Sequence, residues 1–308
     1  MTEPIPLADV RSQCPSSVAI GTFDGIHVGH QALIRSAVVS ARSCRVRAVV
    51  LTFDRHPLET LDASRAPKMI TTAAQKARLI GELGTDMLVE APFDDRMRQM
   101  EAERFVADVL VGQLRAVLVH VGEGFRFGNG RRGTADLLVS LGRPLGLSVR
   151  VLPAVYVAGA PASSSRVRSM LEAGDVEGAA LVLGRAFELT GTVVRGDQIG
   201  RQLGYPTANI ECDRRQATPA DGVYATRVVI RDRSYPGACS IGTRPTLGGV
   251  GRVIEVHLVG FDGDLYGQAI TARFIRRLRG QERYASLDDL TAQIAEDVRA
   301  TCSVVSAG

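Results

Sequence analysis

Residues 17–30 read Ser17-Val-Ala-Ile-Gly-Thr-Phe-Asp-Gly-Ile-His-Val-Gly-His30. A short apolar run gives way to a glycine-bearing turn and then to a helical pattern, so the segment is a strand, a tight turn and a helix start. His27 and His30 are three apart and share one face of the first helical turn. Gly29 has no side chain and lets a phosphate or nucleobase come close to the backbone. Helix N-terminal amides plus two imidazoles make a site for a triphosphate that gains charge during transfer.

The same alternation continues outward from this segment. Candidate strands are 17–22, 46–53, 86–90, 116–122 and 148–152, with helical patterns at 28–42, 72–83, 102–110 and 134–141. Continuous apolar strands alternating with helices imply an α/β, doubly wound parallel sheet covered on both faces. Ligands on such sheets gather at the carboxyl ends of the strands, which is where the two histidines fall. After Leu183 the pattern changes. Strand-like runs at 187–195, 222–231, 235–242, 253–261 and 269–276 are separated by Gly- and Pro-bearing turns, and one amphipathic helix, 286–299, follows. Ser286 is its candidate N-cap, with Asp288 and Asp289 in the first turn. The second part is therefore expected to be a small antiparallel β-barrel with a terminal helix. The domains are read as 1–185 and 186–308.

Composition narrows the field. The chain has 308 residues, enough for two cores, with 45% hydrophobic and 23% charged residues. No apolar run approaches the roughly 18 residues a membrane span needs. The N-terminal stretch carries Glu3 and Asp9 and lacks the pattern of a secretion signal. The five cysteines are scattered and lack CxxC spacing. Free thiols in a reducing, cytoplasmic compartment are the expectation. A net charge of +4 with short basic runs fits phosphate handling better than nucleic-acid binding. No nucleic-acid or membrane partner is expected; an oligomer is compatible with the sequence, which does not specify one.

A second constellation lies at 191–209, GTVVRGDQIGRQLGYPTAN. Gly196, Gly200 and Gly204 punctuate a polar loop after a strand and open backbone amides to phosphates. Thr207 and Asn209 put a hydroxyl and a carboxamide on one side of an extended segment. Such neutral oxygens can complete a Mg²⁺ shell otherwise filled by ATP phosphates and water. By contrast Gly128-Asn-Gly-Arg-Arg-Gly133 fits GxGxxG but does not sit directly between a strand and a helix. It reads instead as a mobile glycine-and-arginine loop over a nucleotide or flavin site.

The first segment, with Ser163-Ser-Ser-Arg-Val-Arg168, resembles the HxGH nucleotidyltransferase superfamily. Taken with LTFDRHP, ITTAAQK, FRFG, LGRAFELTGTVVRGDQIGRQLGYPTAN, DGVYA, SIGTRPT, IEVHL and FDGDLYG, the chain is similar nearly end to end to the bacterial bifunctional riboflavin kinase/FMN adenylyltransferases, also called FAD synthetases. The resemblance implies an HxGH nucleotidyltransferase domain fused to a riboflavin kinase barrel. It implies ATP-dependent phosphorylation of riboflavin to FMN in the second, and adenylylation of FMN to FAD with release of pyrophosphate in the first. Gly21, Phe23, Asp24, Gly29, Ser164 and Ser165 would then hold nucleotide, with His27, His30 and Arg168 stabilising phosphate charge. Phe125, Arg126 and Arg279 would contact flavin. In the barrel, Glu255 would be the general base, Gly196 and Gly200 would line the nucleotide, and Thr207 and Asn209 would meet Mg²⁺. His257, on the face of Glu255, would be structural or orienting.

The chain departs from the family pattern at a few places. Gly124 stands where Asp or Asn is usual before FRFG, Ser165 where Thr is usual, Arg55 where Pro is common, and Leu247 where an aromatic is common. Gly124 keeps a second reading open, in which the kinase is joined to an N-terminal domain that is weak, redirected to another nucleotide or flavin analogue, or only a sensor. Retention of both histidines and Arg168 speaks for two reactions.

Overall fold

The structure is a computed structural model that describes residues 3–11, 14–55, 57–61, 65–196, 200, 203–246 and 249–306. His56 of LTFDRHP, part of the loop between Gly196 and Gly204, and Leu247 lie outside the described residues. Two compact units divide the chain, 1–164 and 165–308.

The first unit runs β1 (Pro4–Pro6), β2 (Ser16–Ile20), α1 (Val28–Cys44), β3 (Arg47–Phe53), α2 (Pro57–Leu61), α3 (Ala73–Glu82), β4 (Met87–Ala91), α4 (Asp95–Gln99), α5 (Ala102–Arg104), β5 (Ala116–Gly122), α6 (Ala135–Gly142) and β6 (Ser148–Leu152). A hairpin of β7 (Tyr156–Val157) and β8 (Ala160–Pro161) follows. The sheet order is β1-β4-β3-β2-β5-β6, with every neighbour parallel. From β2 the chain winds outward through β3 and β4, then returns and winds the other way through β5 and β6. The order reverses between β2 and β5, and a crevice opens outside the carboxyl ends of strands at such a point.

The expected strands all form; β1, β7 and β8 are additional, and one helix differs. β1 was not visible in the sequence because two of its three residues are prolines; lacking amide donors, they are tolerated only because this strand is an edge. The helix expected over 102–110 is α-helical only through Arg104 and continues as a π-helix over Phe105–Gln113. Its wide turns are seen in the Leu114 amide bonding to the Val109 carbonyl, five residues back. Phe105, Val106, Val109 and Leu110 are all buried there. Helix α3 is capped reciprocally by Thr72 and Gln75.

The second unit contains α7, which begins at the division (Ser164–Ala173), then α8 (Val176–Leu183), β9 (Phe187–Val194), β10 (Thr207–Cys212), β11 (Gly222–Ile230), β12 (Arg233–Thr246), β13 (Gly249–Leu258), β14 (Ala269–Arg279) and α9 (Leu287–Ser306). β9–β14 form a closed antiparallel barrel in the order β10-β13-β12-β11-β14-β9. β10, which the sequence showed only as an extended segment, is the strand that closes it. Inside, Ala208, Ile210, Cys239, Ile241, Ile254, Val256 and Leu258 alternate with less buried neighbours. Ser286 caps α9, its Oγ accepting the Asp289 amide at 3.1 Å. The helix packs on β11, β12 and β14, and a buried fork from Arg279 to Asp297, at 3.0 and 2.7 Å, ties it to β14.

All five cysteines are free thiols. Burial raises Cys239 far above its ordinary range and pushes Cys212 up to about 11, so neither is a nucleophile at neutral pH. No described helix is long and apolar enough to cross a membrane.

One buried titratable group sits in the middle of β5. His120 is fully enclosed, with Ser17 Oγ 3.1 Å from Nε2 and Ser36 Oγ 3.0 Å from Nδ1. Burial first, and the charge of Arg150 second, push its pKa down to about 4 from the ordinary 6.5. The folded imidazole therefore stays neutral where the unfolded one takes up a proton. Its contribution to stability is complete above pH 6.5 and is lost as pH falls from there towards about 4. Urea unfolding of the chain at a series of pH values should show this loss, and His120→Gln should flatten the slope in that window.

Candidate active sites

The turn between β2 and α1 is built from unusual backbone. Phe23 and Ile26 adopt left-handed conformations with φ of 50° and 43°, and Gly25 lies between them at 81°. For non-glycine residues this costs on the order of 1 kcal/mol each and persists only where the surroundings enforce it. They do so here: Phe23 and Ile26 are almost fully buried, and Gly21 packs on the Phe23 ring. Asp24, expected at the nucleotide, is turned inward. Its carboxylate accepts the Ile70 amide at 2.9 Å and the Thr71 amide at 3.2 Å, while Thr71 Oγ1 accepts the Gly25 amide. Ser164 Oγ donates to the Asp24 carbonyl at 2.8 Å. Two residues of the expected nucleotide set thus shape the turn itself.

The turn delivers the two histidines to the first turn of α1. Their rings stack with centroids 3.6 Å apart, and the His27 Nδ1 accepts the His30 amide as the helix N-cap. A side chain at position 29 would meet the His27 ring at 3.1 Å, so the glycine is required by this stack. Burial, reinforced by His27, holds His30 well below the usual imidazole range. His30 is therefore a neutral hydrogen-bonding group at neutral pH, and its buried Nδ1 has no hydrogen-bond partner among the described residues.

These groups line one wall of a cleft of about 760 Å³ at the reversal point of the sheet. Gly21, Phe23, His27, Gly29, His30, Ser163 and Ser164 lie on that side. Phe125 and Phe127 after β5, with Phe53, Phe93, Met97 and Met100, supply an aromatic and thioether surface. Phe125 stacks on Phe127 at 5.5 Å, and Phe53 meets Phe93 edge-on at 5.3 Å. Arg98, Arg126 and Arg131 border it. Of this second wall, Phe125, Arg126 and the 128–133 loop that carries Arg131 were expected near a ligand. Phe93, Met97 and Arg98 carry no motif and reach the cleft only through the placement of the β4–α5 segment. Gly124 also lines the cleft, and a side chain there would enter open space. Neither sterics nor backbone conformation requires glycine at that position. The neighbouring departure, Arg55, pairs with Asp54 at 2.8 Å. Ser165 and Arg168 follow Ser164 in the first turns of α7.

The second constellation lies on the outer wall of the barrel. Thr207 and Asn209 share the less buried face of β10, opposite Ala208 and Ile210. In register, Asn209 pairs with Glu255 on β13, and Glu255 pairs with Ser240 on β12. A carboxamide, a carboxylate and a hydroxyl thus sit in a row across three strands. Glu255 is half-buried on this outward face, in keeping with strand alternation. Gln281 closes the row, its Nε2 donating to Ser240 Oγ at 3.0 Å and to the Ile241 carbonyl at 2.9 Å. Ser240 and Gln281 were not singled out in the sequence, because only the strand register brings them beside Glu255. His257 pairs with Thr207 in the same register; its Nδ1 lies 2.9 Å from the Pro206 carbonyl and its ring meets Tyr205 edge-on. Arg279 is engaged with Asp297, as described above. The glycines fold over the row. A Cβ on Gly196 would lie 2.6 Å from Asn209 Cγ, and one on Gly200 would strike the Tyr205 carbonyl. Among the described residues no cluster of three or more His, Cys, Asp or Glu could hold a metal ion unaided.

A doubly wound sheet with an HxGH turn at its reversal point, joined to a barrel bearing PTAN on its outer wall, defines a bipartite nucleotide-dependent transferase. Family models agree: the one described as FAD synthetase matches residues 9–166, and the one described as riboflavin kinase matches 183–305. A protein of Escherichia coli (strain K12) named bifunctional riboflavin kinase/FMN adenylyltransferase is 38% identical over 290 residues, covering 93% of this chain and 92% of its own length. The protein of the same name from Pseudomonas fluorescens is 39% identical over 296 residues, covering 96% and 94%. A solved structure from Streptococcus pneumoniae, described as a macrolide-efflux protein, superposes with a TM-score of 0.89 at 30% identity, covering 97% of this chain and 98% of its own. The chain belongs to the bifunctional riboflavin kinase/FMN adenylyltransferase family.

The contact between Gly196 and Asn209 yields a clean test. Gly196 has no positive φ, so Gly196→Ala adds no backbone strain; it only drives a methyl into the Asn209 carboxamide. Displacement of that group should lower kinase kcat/KM roughly ten- to a hundred-fold with unchanged circular dichroism. Steady-state kinetics with riboflavin and ATP checks it.

Proposed function

We propose that the chain performs two consecutive transfers at two sites. In the first, ATP phosphorylates the ribityl hydroxyl of riboflavin at the barrel. Glu255 accepts the hydroxyl proton as the oxygen attacks the γ-phosphorus, and ADP departs. In the second, a phosphate oxygen of FMN attacks the α-phosphorus of another ATP at the HxGH cleft. FAD forms and pyrophosphate leaves; the attacking group is already an anion, so no base is needed.

The observation that carries the kinase half is the row Asn209–Glu255–Ser240 on the outer wall, with Gly196 packed against Asn209. A base for phosphoryl transfer must reach the hydroxyl without being consumed as a metal ligand. Glu255 is one strand away from Asn209, and Gln281 and Ser240 fix the far side of its pocket. Thr207 Oγ1 and Asn209 Oδ1 are the groups that would hold Mg²⁺. Two neutral oxygens, completed by phosphates and water, suit a hard, small cation. When bound with ATP, the ion supplies neutralisation of charge on the phosphate oxygens.

In the cleft, His27 and His30 face the phosphates from the start of α1. His30, neutral at working pH, acts as a hydrogen-bond group on developing charge and not as a fixed cation. Ser164, Ser165 and Arg168, successive on α7, are assigned to the terminal phosphates of ATP, a role that hydroxyls and a guanidinium fork at a helix start suit. Phe125 and Arg126 are assigned to the flavin. The functional boundary is placed at 185/186, with α7 serving the adenylyltransferase. The substrates and free cysteines are those of a cytoplasmic enzyme, the localisation we assign.

Replacing Glu255 by Gln separates the two activities. FMN formation from riboflavin should fall by roughly a hundred-fold or more, while FAD formation from supplied FMN persists at the wild-type rate. Full kinase activity in Glu255→Gln would remove the proposed base.

A further inference from the structure

The adenylyltransferase cleft contains a cation that the assigned machinery does not use. Arg131 lines the cleft and forms no hydrogen bond or ion pair through its guanidinium among the described residues. Its neighbours in the wall differ: Arg98 pairs with Asp95 at 3.0 Å, and Arg126 donates to the Phe125 carbonyl at 2.9 Å.

The loop that carries Arg131 is not a loose flap. Phe127 and Gly133 exchange two backbone hydrogen bonds, at 3.1 and 2.8 Å, closing the loop at its base. Gly133 packs so tightly on the Phe127 ring that a Cβ there would lie 2.6 Å from it, and one on Gly128 would lie 3.0 Å from Ala102. Asn129 bonds to the Met100 carbonyl through its amide, at 2.8 Å. Within this frame Gly130 and Arg131 are both left-handed, with φ of 60° and 59°. Glycine accepts that conformation readily, whereas arginine does not. A large charged residue therefore occupies a strained position that glycine would fill better, on a pinned loop, facing a cleft, with no side-chain partner among the described residues. Strained residues of that kind concentrate at ligand contacts.

The chemistry of the wall selects the ligand. Phe125 and Phe127, whose stacked rings offer the cleft's aromatic surface, belong to the same loop as Arg131. The amides and imidazoles suited to a triphosphate lie on the other wall, at α1. A guanidinium fork is matched to a phosphate monoester. We propose that Arg131 is a positioning residue that grips the phosphate of the flavin mononucleotide, holding the attacking oxygen for transfer. This rests on the adenylyltransferase reading above.

The test uses the full chain and three variants, Arg131→Ala, Arg131→Lys and Arg131→Gly. KM for FMN in FAD formation should rise roughly ten- to a hundred-fold in the Ala and Gly variants, the effect of losing one charge-assisted contact, and recover in part in the Lys variant. KM for ATP should change less than two-fold. The affinity for riboflavin, which lacks the phosphate, measured at the same cleft as competition against FMN, should stay constant. Arg131→Gly relieves the left-handed strain, so its melting temperature should equal or exceed the wild-type value while FMN binding is still lost. Riboflavin kinase activity serves as the internal control for intact protein. An unchanged KM for FMN, or a rise confined to ATP, would overturn the proposal. Absence of FAD formation by the wild type would instead overturn the adenylyltransferase reading on which it rests.

Discussion

The N-terminal site hangs on one half-buried carboxylate. Asp24 sits at the centre of a turn in which Phe23, Gly25 and Ile26 are all left-handed, a conformation that isolated chain would abandon. By accepting the amides of Ile70 and Thr71, it ties that turn to the segment before α3. The turn in turn aims α1, and α1 sets the stacked histidines at the reversal point of the sheet. Every later element of the cleft, from the aromatic wall after β5 to the arginines around it, is positioned relative to that helix start. The acid's role is structural in the strict sense that it faces protein, yet the chemistry depends on it.

The barrel solves the same problem by different means. Its interior is filled with apolar side chains, so polar chemistry must sit outside. Strand alternation puts Asn209, Glu255 and Ser240 on the outer wall, and antiparallel register brings them side by side. Glycine, not strain, gives access: Gly196 and Gly200 lie where any Cβ would collide with Asn209 or with the Tyr205 carbonyl. Gly196 and Gly200 thereby approach PTAN at backbone distance. One unit thus presents a strained turn at a helix N-terminus, the other two glycines packed against a strand.

Much of this was legible because it is local. HxGH after a strand, and PTAN after a glycine loop, each specify turn, spacing and donor type within some twenty residues. Alternation along 253–258 by itself favours an outward Glu255, while its proposed role rests on the family resemblance; the structure sets it half-buried on the outer face of β13. What could not be read depends on register and tertiary placement. Ser240 and Gln281 flank Glu255 only through pairing of β12 with β13 and the path of the chain after β14. Asp24 and Arg279 were expected at ligands because they are charged and lie in or near matching motifs, and the structure adds protein partners to both. Their partners, the amides at 70–71 and Asp297, are invisible to spacing arguments. The π-helix at 105–113 and the two-proline strand β1 likewise run against local propensity and form because the packed sheet stabilises them.

The account's central claim is that one chain couples two chemically distinct transfers. The most direct measurement is product stoichiometry during a time course with riboflavin, excess ATP and Mg²⁺, resolving flavins by chromatography and assaying ADP and pyrophosphate together. The prediction is that FMN appears first with one ADP, and that each FAD then formed releases one pyrophosphate. FMN accumulating with ADP and no pyrophosphate would contradict it.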